Sequence, residues 1–186
     1  MGNDIRLYEP ITVLRDCDAI LIPAGTPITV PMDSSVHVTQ ALGGSVTINI
    51  NGNLARIAGR DLDALGFEPE RPPVLGADAS RDEVERIVWD QLRTCYDPEI
   101  PINIVELGLV YECTVIEAAA GDGYRVQVSM TLTAPGCGMG SILVEDIKGK
   151  MRQIPHVTDV EVELIFDPPW DPSMMSEAAR LQTGML

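Results

Sequence analysis

Between Gly66 and Ala79 the stretch GFEPERPPVLGADA loses hydrophobic periodicity and collects Pro and Gly, which divides the chain into two parts that obey different patterning rules. Before the break, from Ile11 to Ile57, short apolar runs are interrupted by turn chemistry at Pro23-Ala24-Gly25, Pro31, Gly43-Gly44 and Asn51-Gly52. That is the signature of an all-β unit. After it, apolar residues recur at helical spacing and then at strand spacing. The break therefore predicts a small all-β domain, a barrel or a sandwich, over residues 1–65, a linker over 66–79 and an α+β domain over 80–186.

Local chemistry fills in the elements. Val46, Ile48 and Ile50 alternate into Asn51-Gly52, the pair that best tolerates the positive φ angles of a two-residue hairpin turn, so Ser45 to Ile57 is expected to be a hairpin. Past the linker, Ser80 with Glu83 three residues on forms a capping box ahead of Val84, Ile87, Val88, Leu92 and Cys95, and predicts a helix from Arg81 to Tyr96. Asp97-Pro98 stops it, because a residue before proline is pushed out of the α region. Leu109 to Ile116 and Tyr124 to Thr133 read as an antiparallel pair across Gly121-Asp122-Gly123. A helix carrying Leu143, Val144, Ile147, Met151 and Ile154 follows, then a strand from Val157 to Phe166. The order helix, strand, strand, helix, strand fits a three-stranded sheet covered by helices on one side, with a last helix from Pro172.

Charge and composition narrow the function. A formal charge of -15 opposes binding to nucleic acid or to an anionic membrane surface, both of which are held mainly by Lys and Arg. It favours solubility or a basic protein partner. No charged leader with an apolar region opens the sequence, Arg6 occupies the place where a myristoylation signal wants Ser or Thr, and no run of about 18 apolar residues occurs. A cytoplasmic protein is expected. Its cysteines, Cys17, Cys95, Cys113 and Cys137, form no C-x-x-C pair, so reduced thiols are expected rather than a zinc site or a disulfide framework.

The chemistry concentrates in VQVSMTLTAPGCGMG, Val126 to Gly140. Val126, Val128, Met130 and Leu132 fall on one face of the strand, and Gln127, Ser129, Thr131 and Thr133 on the other. Pro135-Gly136 then turns the chain and delivers Cys137 to the start of a helix, where backbone N–H groups and the helix dipole favour a thiolate. Pro135, Gly136, Gly138 and Gly140 give that thiol a bare setting, poor for core packing and good for access by a bulky ligand. A lone cysteine is more often a small buried hydrophobe, and Cys95 and Cys113 are read that way. Cys17 stays open between buried filler and a second ligand.

Asp97 and Glu99 form an acidic turn, for which turn formation alone is the bland account. At contact distance a carboxylate would oppose the Cys137 thiolate by on the order of 4 kcal/mol at an effective dielectric near 20. The helix dipole returns only about 0.3–1 kcal/mol. Either the carboxylate keeps the thiol protonated until a cation such as iron arrives, or it stands farther off and accepts backbone N–H bonds. Thr133 is placed to bond the sulfur or a neighbouring main-chain group. His37 and His156 lack a metal-ligand pattern. With no base patterned near Cys137, a Thr-x-x-Cys spacing missed by one residue and no resolving cysteine nearby, enzymatic chemistry is not expected.

DPEIPINIVELGLVY (Asp97 to Tyr111), MTLTAPGCGMG (Met130 to Gly140) and VEVELIFDPPWDPSMMSEAAR (Val160 to Arg180) together resemble the iron-sulfur cluster assembly domain of PaaD-like proteins and eukaryotic cytosolic targeting factors. RDCDAILIPAG, TQALGGSVTI and GNLARIAG resemble the N-terminal extension of SufT-type proteins. The resemblance implies an α+β domain in which Cys137 is the functional thiol, flanked by Asp97, Glu99 and Thr133, and a role in maturing iron-sulfur proteins with the assembly machinery and apo-client proteins as partners. A cluster held by cysteine usually needs four thiolates, and one good candidate cannot close a site. The expectation is a labile cluster whose ligation is shared across a homo-oligomer or with a donor or client. The alternatives are an adaptor that binds clients without metal and a thiol redox protein.

Overall fold

The computed structural model describes residues 7–97, 100–119, 121–134 and 139–184. The chain forms two compact units, Met1–Arg71 and Pro72–Leu186.

The first unit is one six-stranded sheet with strands β1 (Pro10–Thr12), β2 (Cys17–Ile22), β3 (Pro27–Val30), β4 (Ser35–Leu42), β5 (Ser45–Ile50) and β6 (Asn53–Ile57) in the order β1-β4-β5-β6-β2-β3. Every pairing in it is antiparallel. The predicted hairpin is β5–β6, and its turn residues Asn51 and Gly52 both take positive φ, 51° and 84°. Alternation sends Cys17, Ala19, Val36, Val38, Val46, Ile48, Ala55 and Ile57 to one buried face, where Leu62 and Leu65 of a 3-10 helix (Gly59–Leu65) join them. The all-β reading is realised as a single sheet whose order ends at β1 and β3, the coarser form of the barrel or sandwich expected from sequence.

In the second unit, the Ser80–Glu83 capping box opens α1 (Arg81–Leu92) with both reciprocal bonds present. The helix stops at Leu92, short of the expected Tyr96. Thr94 N–H turns back to Gln91 O at 3.0 Å, Cys95 N–H to Leu92 O at 3.1 Å, and the Thr94 hydroxyl also donates to Gln91 O at 2.7 Å, so the α ladder is replaced by a tight turn. Cys95 is still fully buried after the helix has ended, which is why the apolar stripe runs past its end.

Strands β7 (Val110–Glu117), β8 (Tyr124–Met130) and β9 (Val157–Leu164) form a sheet in that order. β7 and β8 are antiparallel; β8 and β9 are parallel, joined by the crossover helix α2 (Gly140–Met151). A short α3 (Glu177–Thr183) ends the chain, after a 3-10 turn from Pro172. Val115, Val126, Val128, Met130 and Val160 pack with Val84, Val88 and Leu92 of α1 and Leu143, Ile147 and Met151 of α2 in one aliphatic core. The other face of the sheet is polar, with a shallow concavity of about 210 Å³ lined by Glu112, Thr114, Gln127, Ser129, Glu161 and Glu163.

β8 ends at Met130, three residues before the expected Thr133, and β9 at Leu164 instead of Phe166. The alternation fails just there. Thr131, expected on the polar face, is 1% exposed and Leu132 is buried as well. Thr131 N–H donates to Leu109 O at 2.9 Å, so the chain leaving β8 turns inward toward the loop that precedes β7.

Candidate functional site

Asp97 stands where α1 gives way to a loop, and its placement follows from local chemistry. Its Oδ1 accepts the Ile100 N–H at 2.8 Å, while its own N–H donates to Ile102 O at 3.1 Å. An aspartate that bonds the backbone three residues on makes the turn itself. The residue is 4% exposed, so the carboxylate needs the Ile100 N–H to offset its desolvation. The bridge Tyr96↔Asn103 and the bond from Ile104 N–H to Cys95 O, 2.9 Å, close the loop behind it.

Thr133 comes to Asp97 from the end of β8. Its Oγ1 donates to Asp97 Oδ2 over a long 3.5 Å, across 36 residues of sequence. Of the four residues singled out from sequence, the structure thus brings Asp97 and Thr133 together; Glu99 and Cys137 lie outside the described residues. Asp97 accepts a backbone N–H, as one of the two foreseen roles requires; its distance from the Cys137 thiol, on which the choice turns, involves residues outside the described ones. Thr133 bonds the Asp97 side chain.

Gly140 packs α2 closely on the end of β8: a Cβ there would stand 2.6 Å from Leu132 Cδ1, the end of a side chain that would have to shift to admit it. The described thiols are not poised for chemistry. Cys95 is fully buried and donates to Gln91 O at 3.6 Å. Cys17, left open by the sequence, is 2% exposed beside Asp18 O at 3.5 Å, and burial pushes its thiol up to about 11. Burial pushes Cys113 up to about 12. All three suit packing better than nucleophilic or ligand roles. His156 bonds Gly76 O through Nε2 at 2.8 Å, and His37 is exposed on β4. Among the described residues no three His, Cys, Asp or Glu side chains are gathered to hold a metal ion.

One buried group near the loop escaped the sequence reading. Lys150, 7% exposed on α2, donates through Nζ to Thr94 O at 2.7 Å and Thr94 Oγ1 at 2.9 Å, and stands 3.9 Å from Asp146 Oδ2. It binds the carbonyl three residues before Asp97, where α1 has just ended and a cation is favoured. Its spacing carried the signal: Leu143, Ile147, Lys150 and Ile154 share one helical stripe, and a lysine in an apolar stripe is either snorkelling or paired.

The chain is similar to known proteins over this region. The family pattern described as "Iron-sulfur cluster assembly protein" matches residues 85–164, which hold Asp97, Thr133 and Cys137. The Fe-S protein maturation auxiliary factor of Porphyromonas gingivalis is 42% identical over 104 residues, covering 56% of this chain and 94% of that protein. The Fe-S protein maturation auxiliary factor SufT of Staphylococcus aureus is 39% identical over 89 residues, 48% of this chain and 96% of that protein. Among solved structures, a domain of unknown function, DUF59, from Bacillus anthracis superposes with a TM-score of 0.50 at 32% identity, over 57% of this chain and 96% of that one.

Proposed function

We propose that this chain, which belongs to the family of Fe-S protein maturation auxiliary factors, serves in the cytoplasm as a non-enzymatic helper in iron-sulfur protein maturation, with Cys137 as the thiolate that meets the cluster as cargo. The observation that carries the reading is the buried Asp97 carboxylate bonded to Ile100 N–H and approached by Thr133, the residue that leads into the segment bearing Cys137. A carboxylate withdrawn from water beside a strand end is costly to keep, and a fold that needed only a turn there could place it at the surface. Its negative charge favours a cation arriving next to it.

Cys17, Cys95 and Cys113 serve packing, which leaves Cys137 to act without a second thiol from that set. Four thiolates are the usual complement of a cluster, so the remaining ligands come from elsewhere: a second copy of the chain, a donor in the assembly machinery or an apo-client. Shared ligation makes the cluster labile, as transfer requires. Glu99, two residues from Asp97 in sequence, completes the acidic turn in this reading.

Anaerobic reconstitution with iron and sulfide tests it. Wild type should acquire cysteine-dependent iron and a visible absorption band, and Cys137→Ser should lose most of both. Equal iron in the two proteins would remove the carrier role, and retention of apo-clients by Cys137→Ser would then establish an adaptor.

A further inference from the structure

The loop that carries Asp97 is held from a distance. Its return limb, Asn103 to Leu109, is organised by Asn103, whose Oδ1 accepts the Val105 and Glu106 N–H groups at 3.1 and 2.9 Å. Ile104 is locked between both neighbours: its N–H donates to Cys95 O and its carbonyl accepts Leu109 N–H, each at 2.9 Å. Leu109 O in turn receives Thr131 N–H, two residues before Thr133. A shift of Glu106–Gly108 would therefore reach Asp97 along one path and Thr133 along the other.

The segment after β9 fixes those three residues. It leaves the sheet with Ile165 N–H bonded to Met130 O at 2.8 Å. Pro168 O then accepts the Tyr111 hydroxyl at 2.7 Å, and Trp170 Nε1 donates to Leu107 O at 2.7 Å. Ser176 N–H donates to Glu106 O at 2.8 Å, and the Ser176 hydroxyl makes a short bond to the Glu106 carboxylate. Between these anchors Met174 O presses on Gly108, where a Cβ would stand 2.2 Å away. The fit is made by directed bonds to backbone carbonyls in addition to apolar contact, and directed bonds fix position where apolar contact fixes only proximity.

We infer that this segment is a positioning element for the Asp97–Thr133 site: Trp170 and Ser176 hold the loop at Leu107 and Glu106, and through it set the Asp97–Ile100 turn opposite Thr133. The inference takes from the proposed function only the identity of the working site. Its test contains no iron, so the two can fail separately.

Amide hydrogen exchange followed by NMR on the full chain reads it. Trp170→Phe keeps an aromatic ring packed against the core and deletes the bond to Leu107 O. It should raise exchange of the Ile100 amide roughly tenfold over wild type while the Val126 and Val128 amides of β8 keep theirs, a local opening and not a global one. Glu106→Gln, which keeps the shape and weakens the Ser176 bond, should move the same amide less. An unchanged Ile100 amide, or equal loss of protection at Ile100 and along β8, overturns the inference, because a merely structural tail would give one or the other.

Discussion

The sheet of Met1–Arg71 and the domain of Pro72–Leu186 both rest on aliphatic cores, yet they treat polar side chains differently. Among the described residues the first buries Ser45 alone, its hydroxyl donating to Leu42 O at 3.1 Å and accepting Arg56 Nε at 2.9 Å. The second buries Asp97, Thr131 and Lys150. All three touch the stretch from Thr94 to Leu109. Burying such groups requires partners in place, so their concentration around one loop marks where directed bonds fix the position of the chain. Among its described residues the first unit shows no such concentration.

The contrast can be broken most forcefully at glycine. Gly108 has φ +70° and no room for a Cβ against Met174 O, whereas Gly52 has φ +84° and nothing within 4 Å. Alanine at Gly108 should cost about 3 kcal/mol or more, from strain and collision together; alanine at Gly52 should cost about 1 kcal/mol, from backbone conformation alone. Denaturant melts of the two variants compare them, and equal losses would mean that the loop is no more constrained than a surface hairpin.

Alkali separates the units next. Burial raises the Cys17 thiol from its ordinary 9.0 to about 11 and the Cys113 thiol to about 12. A thiol whose folded pKa is raised holds its proton longer than the unfolded chain does. Its stabilising effect is therefore intact below pH 9 and is lost as pH climbs through the folded value. For Cys17 the loss should reach on the order of 2 kcal/mol and level off near pH 11. For Cys113 it should continue toward pH 12. Stability measured from pH 8 to 12 should show that staggering, and Cys17→Ala should remove the earlier part of it.

Lys150→Met gives the smallest of these effects. It preserves the stem that fills the α2 stripe and deletes the bonds to Thr94, for an expected cost of about 1–2 kcal/mol. Should the variant prove more stable than wild type, the buried ammonium would stand as a concession to position rather than to stability.

Much of this was legible in the chain, at places where short-range chemistry decides. Asn51-Gly52 could only serve a tight hairpin, Ser80 with Glu83 opened a helix, and Asp97 before proline closed one within a few residues. The turn-forming role of Asp97 also followed from its type and setting. What sequence did not disclose depends on partners remote in the chain. The direction of β9 is set by the crossover through α2, and period-two alternation is the same for a parallel or an antiparallel neighbour. Thr131 looked like a solvent residue because alternation was extended beyond Met130, where the strand in fact yields to the bond with Leu109. Trp170, Ser176 and Gly108 meet across some 60 to 70 residues, and no local pattern announces such a meeting. Of the proposed site, residue types and spacing pointed to Asp97 and Thr133, and the fold puts them within hydrogen-bonding reach.

The parallel run of β8 and β9 has a practical corollary. Both strands discharge their carboxyl ends at one rim of the sheet, where Thr131 to Ala134 and Ile165 onward emerge beside the Asp97 turn. The opposite rim carries the Gly121–Gly123 bend and His156. A fluorophore, affinity handle or surface tether installed at Asp122 would therefore sit a full strand's length from the rim that carries Asp97 and Thr133.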